Sequence, residues 1–245
     1  MNKKLEKLAK PFFKAMARLA SPFDRTFLTP DVPTSQVFGK WDEYLKSLGT
    51  MQGLRVLEIG SREVTGPSQE RRRFADAEYV GFDYYPGANV QVVGDVHRLS
   101  SYFKPGEQFD LIFTVACFEH FAMPWVAAVE IAKMLKTGGT LLVATHFSFG
   151  SHERPWNFFQ FSDMGLRVLF SEALGFECIE AGMSNPMVGR MSSFAHKSVR
   201  YSPVRGLYSG SEYFGQKVRN EPAFDWGQVS AESVVSGTTY PVPRH

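Results

Sequence analysis

Cysteine is scarce in this chain, with two among 245 residues, Cys117 and Cys178. A single pair builds neither a disulfide framework nor a structural zinc cluster, and free thiols suit a reducing compartment, so a cytoplasmic location is expected. Long apolar stretches are missing as well. No run approaches the roughly 18 apolar residues that a membrane-crossing helix needs. The lysine-rich start is followed by neither an apolar segment nor a small-residue cleavage site, so no signal peptide is expected. Net charge is low, at +2, which disfavours a nucleic-acid partner bound by charge. Glycine (21) and proline (14) stay near average, excluding a collagen-like or low-complexity chain. Aromatic residues are abundant instead: 22 Phe and 14% aromatic overall point to a large core or an apolar substrate surface.

The small net charge hides an uneven distribution. Residues 1–25 hold seven basic groups against Glu6 and Asp24, a net of +5, and the rest of the chain nets −3. Pro11 stands where a helix can start, with Phe12, Met16 and Leu19 at three- and four-residue spacing behind it. Two readings stay open for residues 1–20. One is a basic amphipathic helix in peripheral contact with a membrane surface or an acidic partner. The other is a helix packing its apolar stripe on the domain while its lysines stay solvated. Residues 21–35 read as a loop, and a second amphipathic helix is predicted from Gly39 to Leu48.

From residue 55 short apolar runs alternate with helical ones. Strands are predicted at Arg55–Ile59, Glu78–Asp83, Val90–Val93, Phe109–Val115, Thr140–Thr145, Phe176–Glu180 and Glu212–Val218. Helices are predicted at Trp125–Leu135, ended by Thr137-Gly138-Gly139, and at Ser162–Leu174, with Ser162 as N-cap and Gly175 just past the end. This alternation implies an α/β fold, a Rossmann-like doubly wound sheet of seven strands, mostly parallel with an antiparallel last strand. Ligands in such sheets bind beyond the carboxyl ends of the strands, which singles out the turns after the first five.

The first turn reads Glu58-Ile59-Gly60-Ser61-Arg62, where a glycine lets backbone approach a ligand and Glu58 can accept hydrogen bonds. Asp83 ends the second strand 23 residues past Gly60, close to the spacing at which nucleotide folds place an acid for ribose hydroxyls. Tyr84 can pack on a purine face, and Asp95 past the third strand can accept from an exocyclic amine. Each acid alone also reads as a solvated loop residue. It is their order along three successive strand ends that points to a nucleoside.

These segments, with Phe109-Asp110-Leu111-Ile112, Phe118-Glu119-His120 and Leu135-Lys136-Thr137-Gly138-Gly139, resemble class I S-adenosylmethionine-dependent methyltransferases of the small-molecule, type 11-like branch, over about residues 54 to 218. The resemblance implies S-adenosylmethionine as cofactor, with Gly60 along its methionine part, Asp83 on the ribose, Asp95 on the adenine amine and Val96 beside the adenine. Two departures stand out: Thr137 where proline is usual, and Arg62 and Val64 where the family's first loop has glycines. A dinucleotide pyrophosphate needs close backbone approach at several points, so this loop argues against NAD. A methionine tail needs only acceptors for its ammonium and a donor such as Arg62 for its carboxylate.

The acceptor should react at the ends of strands four and five. Glu119 and His120 follow strand four and His146 follows strand five. If the acceptor is a hydroxyl, a histidine at His146 or His120 can serve as general base. The aromatic-rich loop 147–161 carries His152, Arg154 and Trp156 and reads as a lid over a small-molecule or glycan-like acceptor, to which its Arg154-Pro155-Trp156 run adds a resemblance. Packing roles for the histidines and a core role for the aromatics stay open beside this. No Asp-Asp pair or His-x-x-x-His spacing appears, so no metal is expected. The reaction expected is O-methylation. A lipid C-methyltransferase of cyclopropane-synthase type, resembled by Phe118-Glu119-His120-Phe121, and a non-catalytic methyltransferase-like binding domain are the alternatives. The chain divides into a helical extension (1–49) folding over the pocket, a methyltransferase domain (50–220), and a tail (221–245) that wraps the domain or joins a dimer contact.

Overall fold

The computed structural model describes residues 3–27, 34–64, 66–67 and 69–234; the end of the tail and 28–33 of the expected 21–35 loop lie outside the described residues, and Ser21–Phe27 forms a 3₁₀ turn. In chain order the elements are α1 (Lys3–Ala20), α2 (Val37–Ser47), β1 (Arg55–Ile59), α3 (Gln69–Arg73), β2 (Glu78–Asp83), β3 (Val92–Val93), β4 (Phe109–Val115), α4 (Pro124–Met134), β5 (Leu135–His146), α5 (Asp163–Leu169), β6 (Phe176–Arg190), β7 (Pro203–Lys217) and α6 (Ala231–Val234). Short 3₁₀ turns lie between them, at Ser21–Phe27, Val96–Tyr102 and Phe118–His120 among others. The strands form one seven-stranded sheet in the order β3-β2-β1-β4-β5-β7-β6. β1 to β5 run parallel, and β7 is antiparallel to both β5 and β6.

Alternation along the strands separates two cores. Leu57, Ile112, Leu141, Val143 and Tyr213 face one side, where α4 and α5 cover them. Val56, Leu111, Phe113, Leu142 and Phe214 face the other and meet Val37, Trp41 and Leu45 of α2 and Phe74 just after α3. Successive residues on a strand point to opposite faces, so a central strand covered on both sides reads as an unbroken apolar run. The apolar stripe of α2 buries it against this second face of the sheet. The N-terminal extension therefore does not fold over the carboxyl edge as a unit, and α2 is part of the sheet's covering layer.

Element ends differ from expectation where local and tertiary forces compete. α1 starts at Lys3 and carries Pro11 inside it. Proline there removes one N–H donor from the helix without ending it. Ser162 caps α5, its Oγ accepting from Gly165 N at 3.1 Å, but the expected helix to Leu174 breaks at Phe170. The buried Tyr213 hydroxyl donates to Phe170 O at 2.9 Å, taking that carbonyl out of a helical ladder. β5 begins at Leu135, with Gly138 at φ +87 and a register shift against β4, so Thr137-Gly138-Gly139 is an irregularity inside the strand.

The largest difference is at β6 and β7, each 15 residues long. His146 at the end of β5 pairs with Gly210, while β6 and β7 stay paired with each other out to Arg190 and Pro203. They thus run on as a two-stranded arm beyond the carboxyl edge of the sheet. Of arm residues 184–190 and 203–209 only Tyr208 is buried, so the sequence shows little of the apolar alternation that betrays a strand.

Tyr213→Phe should lower stability by about 1–3 kcal/mol, since Phe170 O is left buried without its donor. Urea denaturation would measure this, and an unchanged midpoint would remove Tyr213 as the cause of the break.

Candidate active site

Parallel strands place the ends of β1 to β5 along one edge, and backbone bonds stitch their turns together. Gly60 N and Ser61 N donate to Phe82 O, and Gly94 N donates to Asp83 O. Gly60, Asp83 and Asp95 are thereby neighbours on three adjacent strand ends. Gly60 has φ +83, and a Cβ there would lie 2.6 Å from Cys117 Sγ. Only glycine fits both the conformation and the contact. The contact ties the turn after β1 to the end of β4. Burial pushes the Cys117 thiol far above its ordinary range, so it stays protonated and inert.

Asp83 is held from two sides. Tyr85 N donates to Oδ1 at 2.9 Å and Arg62 N to Oδ2 at 3.3 Å, while Arg62 Nε lies 3.5 Å from Oδ1. Asp95 Oδ1 accepts from His97 N at 3.0 Å and meets His97 Nδ1 at 2.6 Å. Met123 N donates to His97 Nε2 at 3.1 Å, which leaves the His97 proton on Nδ1. Burial pushes the Asp95 carboxyl up, but the two bonds from His97, helped by the charge of Arg98, outweigh it and hold the group below its ordinary value. Asp95 is an ionised acceptor with Oδ2 left open among the described residues. His97 was not a sequence candidate. An acid two residues before a histidine at a strand end was the available signal.

Glu58 points into a polar knot under the same turn. Tyr79 Oη and Asn89 Nδ2 donate to Oε2, and Asn89 also donates to Ser61 O at 3.1 Å. Burial, against the Asn89 bond, pushes Glu58 up to about 7, with Glu70, Glu63 and Asp83 adding repulsion. Val96 turns its side chain into the core, so only its backbone can face a ligand. Tyr84 is exposed, its ring 5.9 Å from that of Trp156.

The second half of the edge centres on Glu119, whose side chain is fully buried. Oε2 accepts from Thr145 Oγ1 at 2.6 Å. Oε1 faces three imidazoles, with His146 Nδ1 at 2.7 Å, His120 Nε2 at 3.8 Å and His152 Nε2 at 3.9 Å. The Nδ1 atoms of His120 and His152 meet Trp156 O and Gly150 O, and their Nε2 atoms face the carboxylate. His146 stacks on Phe149 at 4.2 Å, and Glu119 Oε1 lies off its N–H axis. Burial, helped by His152 and His120, holds His146 below its ordinary value against the pull of Glu119. Glu119, His120 and His152 also present atoms within 4.8 Å of one another, a spacing at which such groups could hold a cation.

Loop 147–161 folds back onto this centre. Phe158 N and Phe159 N both donate to Glu119 O. Its aromatic residues divide: Phe161 enters the core, while Phe149, Trp156 and Phe158 remain exposed beside the histidines. Arg154 is exposed on the same loop.

A family model described as a methyltransferase domain matches residues 34–181. The chain belongs to this methyltransferase family. Its methyl donor is S-adenosylmethionine. Over 128 residues it is 31% identical to a ubiquinone biosynthesis O-methyltransferase of Ruegeria sp. (strain TM1040), a match covering 47% of this chain and 50% of that one. The methyltransferase thus spans about half the length of that curated relative. Among solved structures it is similar to the YcgJ protein of Bacillus subtilis, at 15% identity and TM-score 0.49, covering 75% of this chain and 100% of that one. It is also similar to the plantazolicin methyltransferase BamL, at 14% identity and TM-score 0.46, covering 68% and 77%.

The residues present fit the donor. Two ribose hydroxyls and an exocyclic amine need acceptors, and Asp83 and Asp95 supply carboxylates on neighbouring strand ends. The amino-acid tail carries both charges. Near it Ser61 Oγ is buried without a hydrogen-bond partner and can donate to a carboxylate, while Arg62 Nε faces Asp83 Oδ1 at 3.5 Å. In the methyltransferase, Asp83→Asn should weaken S-adenosylmethionine binding about 10- to 100-fold in titration calorimetry, the loss expected for charge-assisted bonds. Unchanged affinity would remove Asp83 from the site. Glu58 gives a stability signature. Its folded value, about 7, lies above the ordinary 4.5, so its contribution is complete below about 4.5 and is lost as pH rises through 7. Glu58→Gln should therefore gain in melting temperature relative to wild type between pH 5 and pH 8, and a pH-independent difference would contradict the raised value.

Proposed function

We propose that this methyltransferase O-methylates a hydroxyl-bearing small-molecule or glycan-like acceptor, with His146 as general base. The carrying observation is the pairing of His146 with the buried Glu119 at the ends of β5 and β4, next to the donor half of the edge. The O-methyltransferase relative, matched over half its length, supports the same reaction class.

S-adenosylmethionine supplies an electrophilic methyl group on a sulfonium when bound. The rest of the work falls to the chain. Asp83, Asp95 and the turn after β1 position the donor, and alignment is itself a large part of the acceleration. His146 turns Nδ1 toward Glu119, leaving Nε2 to accept the hydroxyl proton as the acceptor oxygen becomes nucleophilic. Glu119 cannot move, held by Thr145 and enclosed in protein, and its charge stabilises the imidazolium that forms. The proton then passes to solvent. Because His146 sits below its ordinary value, the imidazole is neutral and competent at neutral pH. His120, with Nδ1 tied to Trp156 O, serves better to hold the loop than to take the proton. Phe149, His152 and Trp156 give the acceptor an aromatic wall.

The rate profile tests this. With a hydroxyl acceptor, kcat/KM should rise with pH along a limb whose midpoint lies below 6.5, the ordinary imidazole value. His146→Ala should cost about 10²- to 10⁴-fold and remove the limb. His120→Ala should keep the limb. Full activity in His146→Ala would mean that transfer proceeds by alignment without this base.

A further inference from the structure

Two surfaces outside the reaction centre share one chemistry. On α1, Phe12, Met16 and Leu19 lie along one helical face, and Phe23 follows in the Ser21–Phe27 turn. All four are exposed, Leu19 at 80%. Lys10, Lys14 and Arg18 occupy the opposite face and are exposed too. On the β6–β7 arm, Phe194 is 97% exposed, with Met191 and Tyr201 exposed near it. Residues 181–211 carry Arg190, Lys197, Arg200 and Arg205 and no acidic residue.

The fold joins these surfaces. The Ser21–Phe27 turn lies against both β6 and β7. Ser35 N also donates to Met183 O at 2.8 Å, where β6 starts to leave the sheet. Charge is segregated accordingly: +5 in residues 1–25, +4 in residues 181–211 and −7 in all other residues together. Positive charge thus gathers in the two segments that the turn joins, and the remainder is acidic.

We propose that α1 and the β6–β7 arm together dock on an anionic lipid bilayer. Apolar residues interleaved with long cations suit the headgroup boundary, where rings and aliphatic chains enter the acyl region and Lys and Arg reach phosphates. A nucleic acid would satisfy the charges and leave the Phe12–Met16–Leu19 face uncovered. A second copy could cover that face but would bring two surfaces of like charge together. The arm projects past β5 on the edge that carries His146, so docking sets the acceptor side of the site beside the membrane. This inference does not depend on which atom is methylated.

The full chain, mixed with phosphatidylcholine vesicles with and without phosphatidylglycerol, is followed by flotation. It should float with the anionic vesicles, weakly with the neutral ones, and less as salt increases. Met16→Glu with Leu19→Glu should cut partitioning more than about tenfold, and Phe194→Ala should reduce it measurably, both with unchanged melting temperature since these side chains are exposed. A chain that stays in the soluble fraction overturns the proposal, as does flotation indifferent to both variants. Lipid-free dimerisation that the double variant abolishes, without flotation, would assign the face to a second copy instead. Flotation is read without donor or acceptor, so its failure leaves the methyl-transfer reading untouched.

Discussion

The half of the edge at the ends of β4 and β5 depends on one buried carboxylate. Glu119 follows β4 in a 3₁₀ turn and is shut off from solvent, so its charge must be met from within. Thr145 meets one oxygen and three imidazoles gather round the other, while its backbone carbonyl receives two amides from loop 147–161. One residue therefore fixes the position of β5's end, the orientation of the histidines and the path of the aromatic loop. A group so engaged cannot drift to suit a ligand, and this makes it a good electrostatic partner for a proton acceptor.

The half at the ends of β1 to β3 is built differently, from backbone turns with carboxylates held by amides. Asp83 and Asp95 each take a donor from a residue two ahead in the chain, and Arg62 of the first turn holds Asp83 from the other side. Gly60 and Cys117 join the halves by direct contact, and Tyr84 with Trp156 joins them again above. Both halves thus sit on rigid strand ends, which is where side-chain positions are easiest to maintain.

Much of the fold was legible because buried central strands leave unambiguous runs such as Val56-Leu57 and Leu111-Ile112-Phe113, each element agreeing with its neighbours. The gathering of Gly60, Asp83 and Asp95 on neighbouring strand ends was legible for a related reason: each ends or follows a strand of one parallel sheet, and parallel strands end along one edge. What stayed hidden was set by distant parts of the chain. The break in α5 comes from Tyr213, 43 residues away. The arm was invisible because its strands pair only with each other. The convergence of His120, His146 and His152 on Glu119 requires a loop to fold back, which spacing cannot reveal. His97 and Asn89, which hold Asp95 and Glu58, are ordinary polar residues until their partners are known.

The strand order has a consequence for how the chain is made. β7 sits between β5 and β6 although it is the last strand to leave the ribosome. Until residue 217 emerges, β5 exposes a full row of unpaired amides and carbonyls beside Leu141 and Val143, and β6 has no sheet to join. Nascent chains must pass through this open-edged stage, in which β5 is a template for any stray strand. A truncation anywhere before β7 would strand the polypeptide there, so protein lacking its final strand should be found with chaperones or in aggregates and not as a smaller enzyme.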